Sequence, residues 1–272
     1  MCRVLGVTRS WYYTQQKRGA TNRQREDQTL LPSIKAAFEE SDKTYGAYRI
    51  VLGLRELGYR VGKNRVWRLM RENDLKVKTV RRFKVTTNSD HKRPVAPNLV
   101  KQLFTAQAPN QLWTGDITYI HTAQGWLYLA VVLDVFSRRI VGWSMNQRMT
   151  DDLVVAAFSN AQARRRPVPG FIFHTDRGSQ YCSKRFRSLV EKAGGIQSMS
   201  ATGCCYDNAI TESFFGTLKR ELVHHCSFVT RQEAQSRIFR YIEGFYNRKR
   251  LHSAIGYLAP EQFEQASLKL AA

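Results

Sequence analysis

No stretch of this 272-residue sequence approaches the ~20 consecutive apolar residues that a membrane-spanning helix needs. The opening MCRVLGVTRSWYY also lacks the uninterrupted apolar core of a signal peptide. A soluble, unexported, cytoplasmic protein with no membrane partner is therefore expected. Cysteine is scarce, and Cys2, Cys182, Cys204, Cys205 and Cys226 are odd in number and scattered, which argues against a disulfide framework and for a reducing compartment. His224, His225 and Cys226 do not read as a zinc site, because adjacent side chains on a helix diverge and no second ligand pair stands at finger spacing. Acidic residues are the minority, 22 Asp and Glu against 43 Lys and Arg, for a formal charge of +21 and a pI near 10.1. Solubility alone does not require so large an excess, so a polyanionic partner is expected, with nucleic acid the best fit. A basic structural protein such as a ribosomal component would share this charge, but 11% aromatic residues and five Trp suit a packed enzyme domain better.

What is there divides the chain. Residues 1–110 carry 23 Lys and Arg against 9 Asp and Glu, and residues 111–272 carry 20 against 13. In the front part, GAYRIVLGLRELG and KNRVWRLMREND place Ile50, Leu54 and Leu57, then Val66, Leu69 and Met70, near helical spacing. A short turn through Tyr59-Arg60-Val61-Gly62 joins them. This is a helix-turn-helix-like layout over residues 26–75, with Lys63, Arg65, Arg68 and Arg71 on the second helix as candidate DNA contacts. A plain helical hairpin with a solvated basic face is the alternative. Residues 76–108 read as a basic linker in which Arg81, Arg82 and Lys84 would track phosphate.

From residue 109 the pattern turns β-rich. QLWTGDITYI, GWLYLAVVLDVFS and RRIVGWSM predict three antiparallel strands, and 150–166 a helix with Asp151 and Asp152 in its first turn and Arg164 to Arg166 in its last. FIFHTD predicts a fourth strand, RGSQYCSKRFRSLVEKAGG a helix, IQSMS a fifth strand, and AITESFFGTLKRELV a long helix capped by Asp207 or Asn208. A further helix is expected over about Arg231 to Arg248. The order implies an α/β fold, a mixed five-stranded sheet flanked by helices over residues 109–265, preceded by a small all-helical domain and followed by a tail at 266–272.

Three carboxylates stand out. Asp116 lies inside the first strand among Trp113, Ile117 and Tyr119, where an acid is costly to bury unless it is paired or bound to metal. Asp176 follows the fourth strand, where sites gather in sheets with parallel neighbours. Glu212 sits early on a later helix. Each has a bland reading, as buried pair, turn former or dipole partner; together they suit phosphodiester chemistry, in which carboxylate oxygens hold divalent cations. Asp134 reads instead as a structural turn or as a partner of Arg138 or Arg139, and Glu221, more than two turns beyond Glu212, as too distant.

At these residues the chain resembles the second-frame (OrfB-type) transposases of bacterial insertion sequences, within the DDE superfamily that includes retroviral integrases. The likeness rests on WTGDITYI, VVLDVFSRRIVGW, HTDRGSQY, the 35 residues between Asp176 and Glu212, and YNRKRLHSAIGYLAPEQF; YGAYRIVLGLRELGYRVGKNRVWRLMRENDL is similar to the family's helix-turn-helix segment. The resemblance implies an RNase H-like catalytic core in which Asp116, Asp176 and Glu212 bind two Mg2+ or Mn2+ ions for DNA cleavage and strand transfer. It implies that Lys219 and Arg220 face DNA near the cut, against a reading as solvated helix charges. It also implies a homo-oligomer on element ends and target DNA, and a first-frame partner protein, in some cases joined by frameshift, for which residues 1–25 would be a junction segment. Association with the nucleoid would follow from DNA binding. Two other functions stay open here: a nuclease of the same fold that does not join strands, and a non-catalytic DNA-binding regulator.

Overall fold

The computed structural model describes residues 4, 6–17, 19–78, 94–201 and 208–271. Arg81, Arg82, Lys84 and Asp207 lie outside the described residues. The chain forms two compact units, residues 1–77 and 78–272.

The first unit is helical: α1 (Arg9–Lys17), α2 (Asn22–Glu40), α3 (Ala47–Glu56) and α4 (Lys63–Glu72). Thr21 starts α2 with a reciprocal cap, its hydroxyl accepting from the Gln24 amide while its own amide donates to Gln24 Oε1. The expected pair α3 and α4 forms, joined by the turn at 57–62. Ile34 and Phe38 of α2 are buried with Ile50 and Leu54 of α3 and Val66 and Leu69 of α4, which makes the unit's core.

The second unit is built on a five-stranded sheet of β1 (Leu112–Thr122), β2 (Gly125–Asp134), β3 (Ile140–Asn146), β4 (Ile172–Thr175) and β5 (Ile196–Met199), in the order β3-β2-β1-β4-β5. β1, β2 and β3 pair antiparallel, while β1–β4 and β4–β5 are parallel, so the mixed sheet read from the sequence is present. Strand alternation divides the apolar residues between two faces. On one, Trp113, Val132 and Phe173 pack with Phe158 of α5 (Asp151–Arg165) and Phe186 of α6 (Lys184–Lys192). On the other, Leu129, Val131 and Leu133 pack with Phe214 and Leu218 of α7 (Ala209–Glu221) and Ile238 of α8 (Arg231–Phe239). α5 lies so close to β3 that a Cβ on Gly142 would stand 2.3 Å from the Ala157 carbonyl oxygen.

Several elements depart from the sequence reading. α6 begins at Lys184 rather than just after Asp176, because Ser183 caps it by accepting from the Phe186 amide and the preceding residues turn. The last long helix changes to a wider π turn over Arg240–Tyr246. α9 (Pro260–Ala271) follows. Asn208 does occupy the cap position of α7, but its side chain makes no capping bond. Asp134 does form a turn, its carbonyl accepting from the Arg138 amide, but its carboxylate pairs with neither Arg138 nor Arg139. It is fully buried, accepts from the amides of Asn110 and Phe136, and meets Arg165 Nη2 at 3.3 Å. Arg139 turns to Glu264 and Glu261 of α9 instead. Glu221 is occupied by Arg250 and by the Tyr241 hydroxyl, which donates to it at 2.7 Å.

Candidate active site

Strand register positions the first two acids. β1 and β4 run parallel with Gly115 opposite Thr175, so Asp116, the next residue of β1, and Asp176, the first residue past β4, follow directly on the last paired positions. Gly115 is needed at this crossing, since a Cβ there would meet the Phe173 ring at 2.7 Å. Glu212 arrives from the other direction. Thr211 at the start of α7 donates its hydroxyl to Thr114 Oγ1 at 2.7 Å, a fully buried bond that ties the first turn of the helix to β1 two residues before Asp116. The adjacent Glu212 is thereby carried to the mouth of the site.

The three carboxylates lie within electrostatic reach of one another. Burial holds the Asp116 carboxyl well above the usual carboxylate range, and the charges of Asp176 and Glu212 push it further, against the Ile117 amide that donates to Oδ1 at 2.7 Å. Glu212 is also raised, by partial burial and then by Asp176. Asp176 Oδ1 accepts from the Gly178 amide at 2.9 Å. Mutual repulsion of this kind is what a bound cation relieves, and the donors are all hard carboxylate oxygens. The nearby His174 is already used inside the fold by Ser198, 2.8 Å from its Nδ1. The three acids are not closed into a finished ion-binding cluster: among the described residues, no group of three or more His, Cys, Asp or Glu is placed to hold an ion.

Lys219, seven residues past Glu212, returns to the site at the next-but-one turn of α7. Its ammonium lies 5.1 Å from the Tyr119 ring centre, and its pKa is lowered by burial against the opposing pull of Asp116. Arg220, the next residue, is exposed. Tyr181 was not singled out in the sequence. Its phenol is buried behind the two aspartates, held neutral by burial and by the charges of Asp116 and Asp176. Its place in HTDRGSQY, five residues after Asp176, was the only available signal.

The four cations of α4 separate into two groups. Arg65 Nε donates to Asp27 at 2.6 Å and Arg68 Nη2 to the other Asp27 oxygen at 2.5 Å, with Glu26 and Glu72 completing the network. Lys63 and Arg71 are exposed beside Trp67, itself 54% exposed with the Arg71 guanidinium 5.5 Å from its ring centre. No helix among the described residues is long and apolar enough to cross a membrane.

A family model described as "Integrase core domain" matches residues 106–205, a second of that description matches 212–268, and an "HTH-like domain" model matches 24–83. The "Insertion element IS600 uncharacterized 31 kDa protein" of Shigella sonnei is 46% identical over 272 residues, covering the whole of both chains. "Transposase InsF for insertion sequence IS3A" of Escherichia coli strain K12 is 45% identical over 270 residues, 98% of this chain and 94% of that one. Among solved structures, a simian T-cell lymphotropic virus intasome, in complex with PP2A regulatory subunit B56 gamma, superposes with a TM-score of 0.50 at 16% identity, over 84% of this chain and 73% of that chain. At that identity the likeness concerns the fold, and it agrees with the integrase-type core expected from the sequence.

Proposed function

The chain belongs to the family of insertion-sequence transposases, enzymes of the polynucleotidyl transferase type, and we propose that Asp116, Asp176 and Glu212 form its catalytic centre for cutting element ends and joining them to target DNA. The observation that carries this reading is the convergence of three carboxylates, from β1, from the end of β4 and from α7, each within the others' electrostatic field. Two Mg2+ or Mn2+ ions held by these oxygens would supply Lewis-acid activation of water or a 3′-hydroxyl and stabilise the leaving 3′ oxygen.

The chain's own groups do the rest. Asp116 and Asp176 are set by strand register and Glu212 by the Thr211–Thr114 bond, so the acids are preorganised on rigid elements. Lys219, with Arg220 at the rim, offers positive charge to the phosphate approaching them. Lys63 and Arg71 on the exposed face of α4 are the DNA contacts of the helical unit, whereas Arg65 and Arg68 hold α4 to α2 through Asp27. Arg81, Arg82 and Lys84 of the basic segment are proposed as further phosphate contacts on the strength of sequence alone. By family resemblance the working form is a multimer on paired ends that includes a first-frame partner, supplied separately or by frameshift fusion.

The test incubates the full chain with the first-frame protein, labelled element-end DNA and Mg2+, and compares wild type with Asp116→Asn, Asp176→Asn and Glu212→Gln. Joined products from wild type, lost in each variant while DNA binding persists, are expected. Cleavage without joining would sink the strand-transfer assignment.

A further inference from the structure

Beyond Asp116, β1 leaves β4 behind. The β1–β4 register ends at Gly115 and Thr175, so among the described residues 116–122 pair with β2 and no strand pairs with the other edge of β1 beside the carboxylates. Along this stretch Tyr119 and His121 share a face, with Tyr128 and Trp126 directly opposite them on β2. The Trp126 ring stands 5.0 Å from Tyr119 at 84° and 5.3 Å from His121 at 81°, so it is braced between two residues of the neighbouring strand. It is nevertheless 46% exposed. A large aromatic that is both exposed and fixed has lost its rotamer entropy before anything binds, which favours a partner able to cover its face.

The chemistry around this cluster identifies the partner. Lys219 links it to the acids, lying over the Tyr119 ring while feeling the charge of Asp116. At the far end Arg231 Nε donates to the Trp126 carbonyl at 3.1 Å, and its guanidinium pairs with no described carboxylate. Aromatic faces flanked by cations are what single-stranded nucleic acid requires, because a base offers its face for stacking only when it is free of its own stack. Tyr119 is three residues from Asp116, about 10 Å along the strand, and strand alternation turns the two side chains to opposite faces, so Lys219, which reaches the Tyr119 ring and feels the Asp116 charge, is what joins the cluster to the acids.

We propose that Tyr119, His121 and Trp126 form a platform on which unpaired nucleotides of the DNA strand beside the cut stack. The position of the cut rests on the catalytic reading of Asp116; the stacking itself does not.

The probe is a hairpin duplex with a four-nucleotide single-stranded 5′ tail carrying 2-aminopurine at each tail position in turn, compared with the same duplex made blunt. Binding by the full-length protein is measured without divalent cation. Wild type binds the tailed DNA about tenfold more tightly than the blunt one, in the range of a single base–aromatic stack, and changes the 2-aminopurine emission. Trp126→Ala and Trp126→Leu lose both effects with blunt-duplex binding unchanged, whereas Trp126→Phe keeps them. Absence of a tail preference in wild type, equal behaviour of the Leu and Phe variants, or equal weakening toward both DNAs would overturn the proposal. Asp116→Asn retains the stacking signal, so strand transfer that persisted in this variant would count against the catalytic reading alone.

Discussion

Arg165, in the last turn of α5, holds together a buried cluster whose removal should be measurable. Its Nη1 and Nη2 donate to both oxygens of Glu264 at 2.8 and 2.7 Å, Nη2 also meets Asp134 at 3.3 Å, and Nε donates to Asn110 Oδ1 at 2.8 Å. Arg165→Met keeps the aliphatic length and removes the cation, leaving two buried carboxylates short of a partner. Breaking a buried pair in this way costs about 3–5 kcal/mol. The lower end applies, since Asp134 keeps two backbone amides and Glu264 keeps Arg139 and the Ser137 hydroxyl. A loss of ~3 kcal/mol lowers Tm by about 10 °C in a unit of this size. The pH dependence has a definite sign. Burial raises Asp134 to about 6 in the folded chain, so the stability this group contributes is full at low pH and is lost as pH rises through about 6. Removing Arg165 raises Asp134 further, and the gap between variant and wild type narrows as pH falls from 7 to 5. Glu264 moves oppositely in wild type: burial pushes it up, but Arg165 and Arg139 outweigh that, and it stays ionised over the same range. Urea unfolding followed by tryptophan emission at both pH values measures the effect. A loss under ~1 kcal/mol, or an equal loss at pH 7 and 5, would refute this account of the cluster.

Gly142→Ala should destabilise the catalytic unit by about 3 kcal/mol, because the new methyl meets backbone atoms of α5 rather than a mobile side chain; an unchanged thermal midpoint would contradict the close packing of β3 and α5. Asp27→Asn should cost the helical unit roughly 1 kcal/mol by releasing Arg65 and Arg68. Burial raises Asp27, but the bonds from Arg68 and Arg65 prevail and lower it, so its contribution is present above the usual Asp pKa and is lost as pH falls through the folded value. Denaturation at a series of pH values from 7 downward checks this, the difference shrinking as the pH falls below the usual Asp range. Asp116→Asn should stabilise the metal-free chain at neutral pH, since the raised Asp116 carboxyl opposes folding when ionised, and the gain should vanish on acidification. Its Tm should stop responding to Mg2+, while that of wild type rises; equal responses would remove Asp116 from the metal site.

How much could be read from the chain varied with the range of the forces involved. β1, β2 and β3 alternate strongly and are linked by short turns, so local pattern sufficed for them. α2 escaped because its inward stripe is Asp27, Leu30, Ile34 and Phe38: an acid holds one apolar position, and Pro32, which reads as a breaker, lies inside the helix without ending it. An apolar-periodicity rule cannot see that Asp27 is satisfied by two arginines almost forty residues away. The same blindness misassigned the partner of Asp134, where nearby Arg138 and Arg139 competed on paper with Arg165, which arrives only once α5 has crossed the sheet.

The sequence by itself determined the family and the fold class and nominated the three acidic positions, because residue type, spacing and strand pattern are local properties that survive without coordinates. Tertiary structure alone decided which charges remain available. It consumed Arg65 and Arg68 in ion pairs, committed Glu221 to Arg250, and brought Lys219 to Asp116. It also set Trp126 between Tyr119 and His121, along the stretch of β1 where no described strand pairs with its other edge. The physical reason is that a charge or a ring acts according to what lies within a few ångströms of it, and for these side chains that neighbour comes from another strand or helix.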